Sequence, residues 1–151
     1  MATDSALTGF LSERARFRSW TIDTLRMTDI DYQGHVNNAV HPVLYTSGRH
    51  DFIQSYLRPC VAHSDMFALV KITIEYLNEM RYPGKVEVGT LIRRLGRSSI
   101  TLGQGMFNEG RCAAVAESVV VLLDPVTRRA KPWPAAAAAQ LAPLIDAAAA
   151  D

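Results

Sequence analysis

From Phe67 the chain alternates between apolar and polar positions. Val70, Ile72, Ile74 and Tyr76 fall on one side, and Lys71, Thr73, Glu75 and Leu77 on the other. A period of two marks a strand with one half-buried face. The same period returns in Val86, Val88, Thr90 and Ile92 against Lys85, Glu87 and Arg93. It resumes in Ile100, Leu102, Gln104 and Met106, and a last strand covers Cys112 to Leu123, ending at Asp124-Pro125. Tyr82-Pro83-Gly84 and Asn108-Glu109-Gly110 separate these runs as turns, and Gly96-Arg97 interrupts the middle one. A further strand is expected over Arg16 to Arg26, where Phe17, Trp20, Ile22 and Leu25 mix with Ser and Thr.

Between the first strand and the others the period changes. Val40, Leu44, Gly48, Phe52 and Tyr56 recur every fourth residue, with Val43, Tyr45, Ile53 and Leu57 beside them. This predicts a helix from about Ala39 to Leu57. Pro42 is compatible only with its first turn, and Arg58-Pro59 closes it. Gly48 sits in the centre of the stripe at a cost of about 1 kcal/mol against Ala, which points to close packing on another backbone. Ala135 to Asp146, with Leu141, Leu144 and Ile145, predicts a short terminal helix, and Ala147 to Asp151 is expected to fray.

The order is strand, long helix, four strands, short helix. Short turns make sequential strands antiparallel neighbours. A sheet of about five strands must bury its concave face on the helix, giving an α+β two-layer domain. A ferredoxin-like order needs a second helix before the last strand, and Gly84 to Leu123 shows no helical period.

Composition narrows the function. The 151 residues suit a single domain over 1–151, with a core at about 16–134 and an alanine-rich tail at 135–151. Sixteen Lys and Arg against fifteen Asp and Glu argue against a nucleic-acid binder. No apolar run reaches the roughly 18 residues of a membrane span, and the N-terminal residues lack a signal-peptide core. Cys60 and Cys112 fit no metal spacing and read as reduced thiols. The expectation is a cytoplasmic protein with no nucleic acid or membrane partner.

The candidate chemistry lies in Asp29-Ile30-Asp31-Tyr32-Gln33-Gly34-His35-Val36-Asn37-Asn38, just before the long helix. A helix start offers unpaired N–H groups and partial positive charge. A loop carboxylate, Asp31, facing such donors is the minimum for acyl transfer: the carboxylate attacks or activates water, and the donors hold the oxyanion. The structural alternative is that these residues only cap the helix. Asp29 reads as such a structural aspartate. A metal-hydrolase reading over Asp29, Asp31, His35 and His41 matches no known ligand spacing, so no metal is assigned.

The segment also resembles the signature Asp-x-x-Gly-His-Val-Asn-Asn of hotdog-fold acyl-CoA thioesterases of the 4-hydroxybenzoyl-CoA thioesterase type. Ile74-Glu75-Tyr76-Leu77, Arg81-Tyr82-Pro83-Gly84, Leu95-Gly96-Arg97-Ser98-Ser99 and Asp124-Pro125-Val126-Thr127-Arg128-Arg129 extend the resemblance over about Arg16 to Pro134. It implies a hotdog fold, a sheet wrapped around a long central helix, and hydrolysis of an acyl-CoA thioester without metal or organic cofactor. Asp31 matches the catalytic carboxylate, and the backbone N–H near Asn38 the donor to the thioester carbonyl. His35, Gly34 and Asn37 match positions that shape or line the site. The resemblance further implies a homodimer or homotetramer with the acyl pocket between subunits.

Tyr45 is a candidate for core or pocket wall. Arg93, Arg94 and Arg97, with Lys85, are candidates for the coenzyme A phosphates, with Ser98 beside them. His41 and His50 are expected at the surface or on the pocket wall. Relatives often carry Tyr-Leu-Arg-Tyr-Phe-Glu-Glu-Ala-Arg after the asparagines. Here His41-Pro42-Val43-Leu44-Tyr45-Thr46-Ser47-Gly48-Arg49 replaces both glutamates and keeps Arg49. Two alternatives differ in class: hydrolysis of thioesters on an acyl carrier protein, and a non-catalytic dimer that binds acyl groups.

Overall fold

A computed structural model describes residues 5–146. Helix α1 (Ala6–Leu11) precedes strand β1 (Ser19–Thr24), helix α2 (His41–Phe52), strands β2 (Met66–Tyr76), β3 (Lys85–Leu95), β4 (Ser99–Asn108) and β5 (Arg111–Leu123), and helix α3 (Ala135–Leu141). The expected fraying of Ala147 to Asp151 lies outside the described residues. All five strands form one antiparallel sheet in the order β1-β3-β4-β5-β2. This is the hotdog arrangement expected from the sequence. The first strand is shorter than anticipated, because Phe17 and Leu25 turn into the core instead of continuing the alternation.

Helix α2 starts with Pro42 in its first turn and runs straight to Phe52. It then widens into a π-helical turn (Ile53–Leu57) and tightens over Arg58–Cys60. It lies on the concave face over β1, β3 and β4. Leu44 and Tyr45 pack with Val86, Val88, Met106, Ala114 and Ala116, and Phe52 and Leu57 with Ile92, Ile100, Leu102 and Val120. Gly48 is what lets the helix approach. A Cβ there would lie 2.6 Å from Val88 Cγ1 and 3.2 Å from Gln104 Nε2.

The convex face is covered as well, which the sequence pattern did not suggest. Leu11 and Phe17, from the N-terminal segment, pack with Leu91, Phe107 and Val115 on the side away from α2. Leu11 and Phe17 settle over Gly89, Gly103 and Gly105, where a Cβ would collide with them at 2.4–2.8 Å. Ser5 and Thr8 tie α1 to Glu75 of β2.

The two sheet edges differ. Strand β1 covers β3 only as far as Thr90, and beyond it Ile145 bridges Ile92 while the Asp146 N–H donates to the Ile92 carbonyl at 3.0 Å. The other edge is all eleven residues of β2, with Leu69, Val70 and Tyr76 exposed. No helix among the described residues is long and apolar enough to cross a membrane.

Candidate active site

The segment singled out in the sequence folds as a miniature hairpin. Ile30 and Val36 bridge antiparallel, the Asn37 N–H donates to the Asp29 carbonyl (2.8 Å), and the Asp31 N–H to the His35 carbonyl (2.9 Å). Gly34 takes a positive φ of 80° at the tip, where its N–H reaches the Asp31 carbonyl at 3.1 Å. A residue with a Cβ is strained in that region, which is why glycine stands there. The hairpin is anchored to the segment before β3 by the Val36 N–H on the Met80 carbonyl (2.9 Å) and the Leu25 N–H on the Gly84 carbonyl (2.9 Å).

Asp31 is half-buried in this loop. Its Oδ1 accepts from the N–H groups of Gln33 (2.9 Å) and His35 (3.3 Å), whereas Oδ2 accepts nothing among the described residues. The carboxylate therefore shapes the turn through one oxygen and presents the other. Asp29 uses its Oδ2 on the Arg26 N–H at 2.7 Å, the structural role expected of it.

The hairpin leads straight into the head of α2. Asn37 organises that passage: its Oδ1 accepts from the Ala39 N–H (2.9 Å) and its carbonyl from the Val40 N–H (2.8 Å). Asn38 has an exposed side chain, and its carbonyl accepts from the Tyr76 hydroxyl at 3.2 Å. Its N–H has no acceptor among the described residues. Asp31 and Asn38 thus belong to one rigid loop, with no hydrogen bond joining them.

His35 is held by residues that sequence reasoning did not connect with it. Its Nε2 lies 2.9 Å from Glu79 Oε2 and 2.8 Å from Arg81 Nη2. One ring nitrogen cannot donate to a carboxylate and accept from a guanidinium at once, so the two contacts belong to different proton placements. The signal was Arg81 in the Arg-Tyr-Pro-Gly turn, which the topology brings against the hairpin. His41 is not at the surface. It is 3% exposed, stacks edge-on to Tyr76 with centroids 4.9 Å apart, and its Nδ1 lies 3.3 Å from the Asn37 carbonyl. Burial lowers its pKa. His50 is exposed, as expected.

The structure places two other sets of candidates. Tyr45, expected in the core or on a pocket wall, is fully buried in the core of this chain: its hydroxyl has no hydrogen-bond partner among the described residues, and burial pushes the phenol well above its ordinary range. The basic cluster is split. Lys85 opens β3 beside the hairpin, and Arg93 lies eight residues further, about 26 Å along a strand at ~3.3 Å per residue. Arg93 pairs with Glu117 on the convex face. Arg94 and Arg97 are exposed, and Ser98 joins the sheet through its carbonyl, which accepts from the Leu122 N–H at 2.8 Å. Within one chain these residues are not brought to Asp31.

Further along α2, Arg49 is 6% exposed and makes no ion pair among the described residues. Its Nη2 donates to Thr46 Oγ1 (3.0 Å) and its Nη1 to Ser118 Oγ (3.4 Å). Burial lowers its pKa from the ordinary arginine value. No group of three or more His, Cys, Asp or Glu side chains among the described residues is placed to hold a metal ion.

No curated protein is significantly similar to the chain. Several solved structures are similar to it. A predicted thioesterase from Bacillus stearothermophilus is 28% identical, with 84% of this chain and 96% of that one covered at a TM-score of 0.75. A thioesterase from Thermus thermophilus, solved with coenzyme A and zinc, is 27% identical over 85% of this chain and 94% of that one, at 0.73. The PA5185 protein of Pseudomonas aeruginosa strain PAO1 shares the fold at 0.76, with 23% identity over 89% and 96%. The sequence profile of the thioesterase-like superfamily matches residues 25–141, a span that takes in the Asp31 hairpin, α2 and all four long strands, and the chain belongs to that superfamily.

Proposed function

We propose that the protein hydrolyses an acyl-CoA thioester to the free acid and coenzyme A. The observation that carries this reading is the hairpin itself. It holds Asp31 by one carboxylate oxygen, leaves the other without an acceptor role, and delivers the chain directly to the unpaired Asn38 N–H at the head of α2. In the reaction, the thioester carbonyl oxygen takes the Asn38 N–H, supported by the positive end of the helix. Asp31 then adds to the carbonyl carbon, or takes a proton from a water that does. Thiolate leaves in either route and takes up a proton; in the first, one water then hydrolyses the Asp31 anhydride, and in the second the attacking water has already supplied the acid's new oxygen.

The second copy enters at β2. An eleven-residue strand with Leu69, Val70 and Tyr76 exposed is an unpaired template, and pairing it with its counterpart would make a homodimer whose two sheets are continuous. The similar thioesterase from Thermus thermophilus, solved with coenzyme A, supports the choice of carrier. Arg94 and Arg97, exposed at the far end of β3, are assigned to the phosphates of coenzyme A bound at the partner's loop. The cytoplasm is the proposed compartment.

The test is thiol release from a panel of acyl-CoAs by the wild type and Asp31→Asn, with a protein-only control for the Cys60 and Cys112 thiols. Loss of about 10²-fold or more in kcat in the variant, with its fold and oligomer intact, is the expected result. Turnover retained by the variant would remove Asp31 from the chemistry. No turnover across the panel would move the reading to a carrier-protein thioester or to acyl binding.

A further inference from the structure

One flank of α2 faces β5 and β2, and what it can offer a substrate depends on the thioesterase reading. Arg49 reaches from the helix to Ser118, on the concave face of β5. Ser118 is paired with Ile72 of β2, so the guanidinium lies beside the open edge strand. Val43 on the helix and Val70, at the bulge in β2, are both 60% exposed, and Thr46 is exposed one turn before Arg49. The helix packs mainly toward β1 and β3; toward β5 and β2 its Leu44 and Tyr45 share a core cluster with Ala114, Ala116, Ile72 and Ile74.

A buried cation is normally neutralised by a carboxylate. Arg49 has only two hydroxyls, one of them at 3.4 Å. Two hydroxyl acceptors occupy two of the five N–H donors of a guanidinium, and they cancel none of its charge. The chain therefore keeps a buried positive charge on the flank that runs back to the Asp31 loop. His41, Tyr45 and Arg49 are spaced by four, one turn apart, on the same side of α2. Arginine side chains lean toward the helix N-terminus, and the bond to Thr46 shows that Arg49 does so. Thr46 stands five residues from His41 at the start of α2, about 8 Å at ~1.5 Å per residue, and Asn38 lies three residues further back in the turn before it.

We infer that Arg49 receives the far end of the acyl group and that this end is a carboxylate, so the substrate class is the CoA thioester of a medium-length dicarboxylic acid. The acyl chain would run along the Val43 and Val70 flank from the Asn38 N–H to the guanidinium. A planar fork suits a carboxylate better than a point charge does. A partner subunit's carboxylate filling the same place is the competing occupant, and it would leave no preference for an acidic acyl chain.

Two measurements test this. The first compares adipoyl-, suberoyl- and sebacoyl-CoA with hexanoyl-, octanoyl- and decanoyl-CoA. The wild type is expected to favour the best acidic chain over its aliphatic match by more than about tenfold in kcat/KM. Arg49→Met is expected to abolish or reverse that ratio, and Arg49→Lys to keep part of it. The second measures binding of free suberate and octanoate by calorimetry, which needs no turnover. Suberate is expected to bind the wild type more tightly, and the preference to vanish in Arg49→Met. A wild type with no preference for acidic chains in either measurement overturns the inference, whether or not the variants fold. A preference that survives in Arg49→Met overturns it too. Suberate selectivity without hydrolysis of any acyl-CoA would sink the thioesterase reading and leave the carboxylate site standing.

Discussion

The two flanks of α2 are built to different ends. On the flank toward β1, β3 and β4 the chain completes its own packing. Gly48 admits Val88, Gln104 donates through Nε2 to the Tyr45 carbonyl and Thr90 Oγ1 at 3.1 Å each, and Asp51 accepts from Thr21 at 2.8 Å. On the flank toward β5 and β2 the packing stops short. Arg49 lacks a counter-charge among the described residues, the edge strand has no neighbour, and Val43, Leu69 and Val70 meet solvent. The difference teaches where this molecule meets others. A flank finished inside one chain has no need of a ligand or a second copy, whereas the other flank combines every feature that would be satisfied by one.

The largest effect is expected from breaking the open flank at its edge. Val70→Asp would place an unpaired carboxylate in the proposed strand–strand interface. A buried uncompensated charge costs about 3–5 kcal/mol, which is roughly two to three and a half orders of magnitude in dimer affinity. Ile22 of β1 is 61% exposed, about as much as Val70, but it lies on the other edge strand. Ile22→Asp is therefore the matched control. Sedimentation should show monomer for Val70→Asp and an unchanged assembly for Ile22→Asp. Equal behaviour of the two would erase the distinction between the edges.

A smaller effect probes the closed flank. Gly48→Ala gains about 1 kcal/mol of helix propensity but puts a Cβ 2.6 Å from Val88 Cγ1. Overpacking of this kind costs about 1–3 kcal/mol, so the net expectation is a loss of up to roughly 2 kcal/mol in urea unfolding. Val88→Ala opens the space that the new methyl needs. The double variant should therefore be more stable than the two single losses added together, a coupling of about 1 kcal/mol. Strict additivity would show that Gly48 is not there for the approach of the sheet.

Sequence pattern was a good guide to the closed flank and a poor one to the open one, for a physical reason. Periodicity reports which face of an element is buried, and that was enough to place β2 to β5, α2, and Gly48 at the helix–sheet contact. It carries no record of position along a strand. Lys85 and Arg93 share one strand and looked like one cluster until the strand's length separated them. It is equally silent on short elements: α1 has six residues, too few to show a period. Its trace was instead in the strands, where Gly89, Gly103 and Gly105 leave room for Leu11 and Phe17. In the candidate site, a loop before α2 and the structural role of Asp29 followed from residue chemistry and the part of Asn37 from the resemblance, whereas the folding of that loop into a hairpin did not. Glu79 and Arg81 did not, because only tertiary contact brings the turn before β3 against His35. Tyr45 looked amphipathic, and the sheet simply closed over it.

The smallest expected effect is on stability against pH, and it sits where the two flanks meet, at His41. This ring is buried at the head of α2, and Tyr76 of β2 packs against it in a T-shaped pair. Burial disfavours its charged form and lowers its pKa from the ordinary value of 6.5, with the hydrogen bond to the Asn37 carbonyl opposing the shift in part. A histidine depressed in the folded state binds its proton more readily in the unfolded chain. Stability is therefore full above the unfolded pKa and falls as pH drops below about 6.5 toward the folded value. Asp31 and Glu79 lie on the neighbouring hairpin and turn, and both are present in the wild type and in the variant. His41→Phe retains an aromatic ring against Tyr76 and cannot titrate. Unfolding free energies at pH 7.5 and 5.5 should therefore diverge less in the variant than in the wild type. An equal pH dependence in both would place the proton uptake elsewhere, and His41 would then be a packing residue whose charge state does not matter to the fold.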